Sequence, residues 1–187
     1  MTQLQTIKTP PQLLQFLQDT MKYGFVADGK VYTKAERQQW VAHYKIRFGE
    51  DLIQAGYGAC FDYAELQRSF FEKWGMEHEC YFLRGYRAKK NKNAKTLPFH
   101  TFLIYKDGDK WKWFEYSFRT LRGIHEYQTK QQALADVVSK ALEYHNCVQD
   151  KFDLYKYPKV TKNLTAIQFV KHCLRGERVA LYTYPDG

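Results

Sequence analysis

The sequence predicts an α+β fold with helices packed on an antiparallel sheet, and three observations carry that expectation. Apolar residues recur at helical spacing in five separate segments, strand-forming residues gather in three short runs between residues 80 and 116, and an Asp-Gly pair separates the last two runs. With 187 residues, 44% hydrophobic and 17% aromatic, the chain can bury one good core and is read as a single domain over 1–187.

Pro10 and Pro11 open the first helical segment, with Leu13, Leu14, Phe16, Leu17 and Met21 on its apolar side and Gly24 as its stop. Thr33 with Glu36 has the spacing of a capping box, and Trp40, Val41, Tyr44 and Phe48 continue a second helix. A third begins at Cys60, runs through Phe61, Ala64, Leu66, Phe70, Phe71 and Trp74, and ends at Gly75. The strand runs are Cys80–Tyr86, Phe99–Tyr105 and Trp111–Tyr116. Thr129 opens a fourth helix with Leu134, Val137, Val138 and Leu142. Thr165 with Gln168 opens a fifth, ended by Gly176, and Arg178 to Tyr184 reads as a last strand.

The chemistry gathers at Cys60. Gly56-Tyr57-Gly58-Ala59 leads into the helix, so the thiol stands at a helix N-terminus, where free amides and the helix dipole favour a thiolate. The strands supply a base and its orienter. With Asp107 and Gly108 as the two turn residues, His100 faces Glu115, Phe102 faces Trp113 and Ile104 faces Trp111 on one side of the sheet; a turn at Gly108-Asp109 would oppose His100 to Ser117 instead. Nucleophile, base and carboxylate are the parts of a cysteine acyl-transfer site. The Cys60 amide is one oxyanion donor, and Gln54 or Tyr57 is the expected second. Asp62 reads as a capping partner.

The runs Gly58-Ala59-Cys60-Phe61-Asp62-Tyr63-Ala64, Trp74-Gly75-Met76, Pro98-Phe99-His100-Thr101-Phe102 and Trp113-Phe114-Glu115 resemble the transglutaminase-like superfamily of papain-type folds. The resemblance spans about residues 50–120, between helical flanks at 10–48 and 129–176. It implies Cys60 as nucleophile, His100 as general base and Glu115 in the place of the family's usual Asp. The implied activity is acyl transfer on a peptide or protein amide, of peptidase or amidase type, through a thioester. No calcium-loop pattern of spaced acids accompanies it.

Charge and cysteine usage bound the alternatives. No apolar run reaches the roughly 20 residues of a membrane span, and Met1 to Lys8 lack the apolar core of a signal peptide. Four dispersed cysteines are expected to be reduced thiols in the cytoplasm. The net charge of +9 and the run containing Arg87, Lys89, Lys90, Lys92 and Lys95 invite an anionic partner, although no aromatic residue in that run offers a stacking surface. His145 with Cys147 and His172 with Cys173 lack the spacing of a metal site, and no cofactor or metal is expected. The alternatives to an enzyme are a binding module of the same fold without catalysis and a basic accessory protein on nucleic acid.

Overall fold

The computed structural model describes residues 3–87 and 98–181. Helix α1 (Pro10–Thr20) begins where the Thr9 hydroxyl accepts the Gln12 amide, with prolines in the first turn. It ends at Thr20, earlier than the expected stop at Gly24. The chain turns extended at Met21 and continues as β1 (Lys22–Tyr23), β2 (Phe25–Ala27) and β3 (Lys30–Tyr32), the last two forming a hairpin. Glu36 accepts the Thr33 amide at 2.8 Å, as the capping pattern requires. Only a 3-10 turn and the short α2 (Arg37–Trp40) follow, in place of a helix reaching Phe48. Residues 44–46 are taken up instead by backbone bonds with 164–166: Ile46 N–H donates to the Leu164 carbonyl at 2.9 Å and Ala166 N–H to that of Tyr44 at 3.2 Å. Tertiary pairing overrides the local helical period.

Next come α3 (Gly49–Ala55), β4 (Tyr57–Gly58) and α4 (Cys60–Lys73), with Gly75 just past the last turn of α4. The remaining elements are β5 (His78–Gly85), β6 (Phe99–Asp107), β7 (Lys110–Glu115), β8 (Gly123–Tyr127), α5 (Lys130–Tyr144), β9 (Phe152–Lys156), α6 (Ala166–Cys173) and β10 (Glu177–Val179). Both helices of the C-terminal part start at the expected threonines, Thr129 and Thr165, each accepting a backbone amide. Of the expected last strand, Arg178 and Val179 are in β10, and Tyr182 onwards lies outside the described residues.

Six strands form one antiparallel sheet in the order β10-β9-β5-β6-β7-β8. Alternation sends Cys80, Phe82, Leu103, Tyr105 and Phe114 to the face covered by α4, and Tyr81, Leu83, Phe102, Ile104 and Trp113 to the face covered by α5. The result is a helix–sheet–helix sandwich with α4 over the sheet centre, buried except at Ser69, Glu72 and Lys73.

The β6–β7 hairpin corrects the expected register. Its turn is Gly108-Asp109, with Asp107 paired to Lys110, Ile104 to Trp113 and Lys106 to Trp111. Gly108 has φ +62°, while Asp109 keeps a negative φ, the sign pattern of a glycine-first II′ turn. The β2–β3 hairpin takes the other solution, with Asp28 and Gly29 both at positive φ between Ala27 and Lys30, so an Asp-Gly pair admits either turn and does not by itself fix the register. Continued to its end, the observed register sets His100 across from Ser117. His100 and Glu115 are therefore diagonal neighbours and not opposed.

Candidate active site

Cys60 is the first residue of α4 and 3% exposed. The loop before it is clamped from below. The Asp62 carboxylate accepts the Ala59 amide at 2.7 Å, the Arg47 amide at 3.0 Å and the Tyr44 hydroxyl. Asp62 thus does the capping work expected of it, and three donors surround it. Burial nonetheless outweighs them and holds its carboxyl up at about 6. Gly58 is packed so closely that a Cβ there would lie 2.9 Å from Leu52 Cδ1, 3.1 Å from Tyr63 Cζ and 3.3 Å from Asp62 Cβ. A glycine is what lets the loop approach α4 at this point.

His100 and Glu115 are each 1% exposed and lie just past the last β6–β7 pair, Leu103 with Phe114. His100 Nε2 donates to Glu115 Oε2 at 2.9 Å. A shift of two residues in register leaves both side chains on the same face, and diagonal neighbours stand about 7–8 Å apart at Cα. The longer arm of glutamate spans that diagonal. Its other oxygen, Oε1, accepts the Phe118 amide at 2.8 Å, and the Phe118 ring stacks on the imidazole at 3.9 Å between centroids. Phe118 therefore fixes both members of the pair, by its amide and by its ring. Tyr144 continues the stack at 4.2 Å from Phe118.

With Nε2 committed to Glu115, Nδ1 is the nitrogen left to serve Cys60. Burial opposes charge on both partners, and their mutual interaction reverses it. For Cys60, desolvation raises the thiol pKa, but the hydrogen bond and charge of His100 bring it below the ordinary value. Thr101 contributes in the same direction, and its buried hydroxyl has no other partner. For His100, desolvation lowers the imidazole, while the Glu115 charge and the Cys60 hydrogen bond carry it up to about 9. Each partner thus shifts the other toward its charged form.

Two other cysteines have the opposite character. Burial pushes the Cys80 thiol up to about 12 against the opposing Arg68 charge, and burial likewise raises Cys173. None of the four cysteines is in a disulfide.

The two residues expected as oxyanion donors lie upstream of the thiol, in α3 and β4. Gln54 is exposed on α3, and the Tyr57 ring lies against Gly24 with the Lys22 ammonium 5.9 Å above it. The basic run is covered only at Arg87, which is half-buried; Lys89, Lys90, Lys92 and Lys95 lie outside the described residues. Among the described residues no group of three or more His, Cys, Asp or Glu side chains converges as a metal site, and no helix is long and apolar enough to cross a membrane.

No protein-family model matches the chain, and no curated protein or solved structure matches it either.

Phe118, Thr101 and Tyr44 are the site residues that sequence reasoning passed over. Thr101 was within reach of it, since the residue after a strand histidine points to the opposite face, toward α4. Phe118 and Tyr44 carry no local signal, because each enters the site through a contact made only in the folded chain.

Proposed function

We propose that the protein is a cysteine-dependent acyl-transfer enzyme of transglutaminase-like, papain-type architecture, hydrolysing amide bonds through a thioester. The observation that carries this reading is the buried chain of contacts from Cys60 to His100 to Glu115, with a lowered thiol at one end and a raised imidazole in the middle. Structural ion pairs also shift pKa values, but an apolar core has no use for a thiolate at a helix start beside an oriented imidazolium. A helix N-terminus over an antiparallel sheet, with base and carboxylate on adjacent strands, is the arrangement that the resemblance in residues 50–120 leads one to expect.

The Cys60 thiolate attacks the carbonyl carbon of the amide. A C–S bond forms, and the carbonyl π pair moves onto oxygen. Collapse of that adduct breaks the C–N bond, and the proton on His100 goes to the leaving amine. Neutral His100 then takes a proton from water as its oxygen attacks the thioester carbonyl. The C–S bond breaks, and thiolate and imidazolium are restored. Glu115 keeps the imidazole in the tautomer that leaves Nδ1 facing sulfur, and it stabilises the cation in both resting and intermediate states. The Cys60 amide, at the first helical position, has no intrahelical acceptor and can donate to the oxyanion. Three further cysteines outside any disulfide suit a reducing compartment such as the cytoplasm.

The test is alkylation of each cysteine by iodoacetamide as a function of pH, read by mass spectrometry on the folded protein. Cys60 is expected to react well below the ordinary thiol pKa of about 8.5, and Cys80 and Cys173 to stay inert. In His100→Ala the reactivity of Cys60 at low pH is expected to vanish. A Cys60 that titrates like a free thiol, or that ignores the loss of His100, would sink the reading.

A further inference from the structure

We propose that the Tyr23 hydroxyl is the second oxyanion donor of this site, a role that rests on Cys60 being an acyl-accepting nucleophile. The backbone brings Tyr23 there. β1 and β4 pair in parallel, Lys22 N–H donating to the Gly56 carbonyl and Gly24 N–H to that of Gly58, both at 3.0 Å, with Tyr23 opposite Gly58 just before Cys60. The Tyr63 hydroxyl donates to the Lys22 carbonyl at 2.6 Å and so ties α4 to β1 directly beside Tyr23. Tyr23 and Phe25 share one side of the chain, their rings edge to face at 5.8 Å, and Phe25 packs on Phe61, the neighbour of Cys60, at 6.3 Å.

The neighbouring tyrosines have their hydroxyls occupied. Tyr44 donates to Asp62, Tyr63 to Lys22 and Tyr116 to the Leu17 and Met21 carbonyls. The Tyr23 hydroxyl has no hydrogen-bond partner among the described residues. It is a donor without an acceptor, next to a site that generates an anion. Although the residue is 37% exposed, its phenol is surrounded closely enough that desolvation is the largest influence on it. The Cys60 and Asp62 charges act in the same direction, so the group stays protonated and able to donate.

The experiment compares two reagents on the full chain. p-Nitrophenyl acetate acylates Cys60: sulfur attacks the carbonyl carbon, negative charge builds on oxygen, and expulsion of p-nitrophenolate leaves acetyl-Cys60. Iodoacetamide alkylates the same sulfur by displacing iodide and forms no oxyanion. In Tyr23→Phe, acylation is expected to slow by about 10²-fold while alkylation keeps its wild-type rate. Tyr57→Phe is expected to leave both rates unchanged.

Acylation of Tyr23→Phe at the wild-type rate overturns the proposal. An equal loss of both reactions does so too, because it would place the effect on the thiolate. If Tyr57→Phe slows acylation and Tyr23→Phe does not, the donor is Tyr57. Release of p-nitrophenolate by Cys60→Ala at the wild-type rate would remove the nucleophile reading itself, and the role of Tyr23 with it.

Discussion

Glu115 decides more about the candidate site than its side-chain class suggests. Its carboxylate must reach His100 along a diagonal, and at the same time accept the Phe118 amide whose ring covers the imidazole. Shortening it to aspartate removes one methylene, and with it the reach to one of the two donors. Glu115→Gln keeps the reach and removes the charge, which is the leading influence raising His100 against its desolvation. Without that charge the imidazolium is lost at lower pH, and the thiolate loses its partner. The onset of Cys60 alkylation in Glu115→Gln should therefore move up toward the ordinary thiol value of about 8.5. Glu115→Asp should show the same displacement if the diagonal reach is what matters. An alkylation profile unmoved in Glu115→Gln would show that the carboxylate does not act through His100.

The elements around the site are held by two glycines with different duties, and substitution separates them. At Gly58 a Cβ meets Leu52, Tyr63 and Asp62 inside a packed loop, so Gly58→Ala must displace the residues that set the start of α4. A loss of about 1–3 kcal/mol in urea unfolding is expected, with slower Cys60 alkylation, because overpacking a tight site forces the backbone to shift. At Gly108 nothing lies within 4 Å of a Cβ, and only the positive φ resists a side chain. Gly108→Ala should cost about 1–2 kcal/mol from backbone conformation alone and leave Cys60 reactivity as it was. Equal effects of the two substitutions on Cys60 would contradict this division of roles.

At the scale of the whole molecule, two acidic side chains on the sheet each hold two cations. Asp153 holds Arg84, Arg178 and Tyr86, joining β5, β9 and β10. Glu79 holds Lys130 and Lys156 with Tyr81, joining α5 and β9 to β5. Burial would raise the Glu79 carboxyl, but bonds from Lys130, Lys156 and Tyr81 bring it down to about 2. A folded pKa below the unfolded value of about 4.3 means that the folded state binds its proton more weakly. The contribution of Glu79 to stability is then fully present above about 4.3 and is lost as pH falls through about 2. Thermal unfolding of the wild type should lose midpoint temperature more steeply in that window than Glu79→Gln, and parallel curves would show that the hub carries no such linkage.

Much of the fold was legible because the signals are short-range. Hydrophobic period and capping residues identify α1, α4, α5 and α6, the three central strands and the position of Cys60 at a helix start. The strands β8 and β9 were not legible, since each is five residues long and carries no turn signal as strong as Asp-Gly beside it. The sequence by itself determined the α+β class, the helix-start thiol, and the placing of His100 and Glu115 on one side of adjacent strands. That last result is independent of the turn, because the alternative registers differ by two residues and the side-chain period in a strand is two. Tertiary structure alone decided that the pair meets on a diagonal, that residues 44–46 leave their helix for the 164–166 segment, and that Tyr23 pairs with Gly58, two residues before Cys60. Those outcomes depend on backbone groups far apart in the chain finding one another, and no local pattern of residues encodes such a meeting.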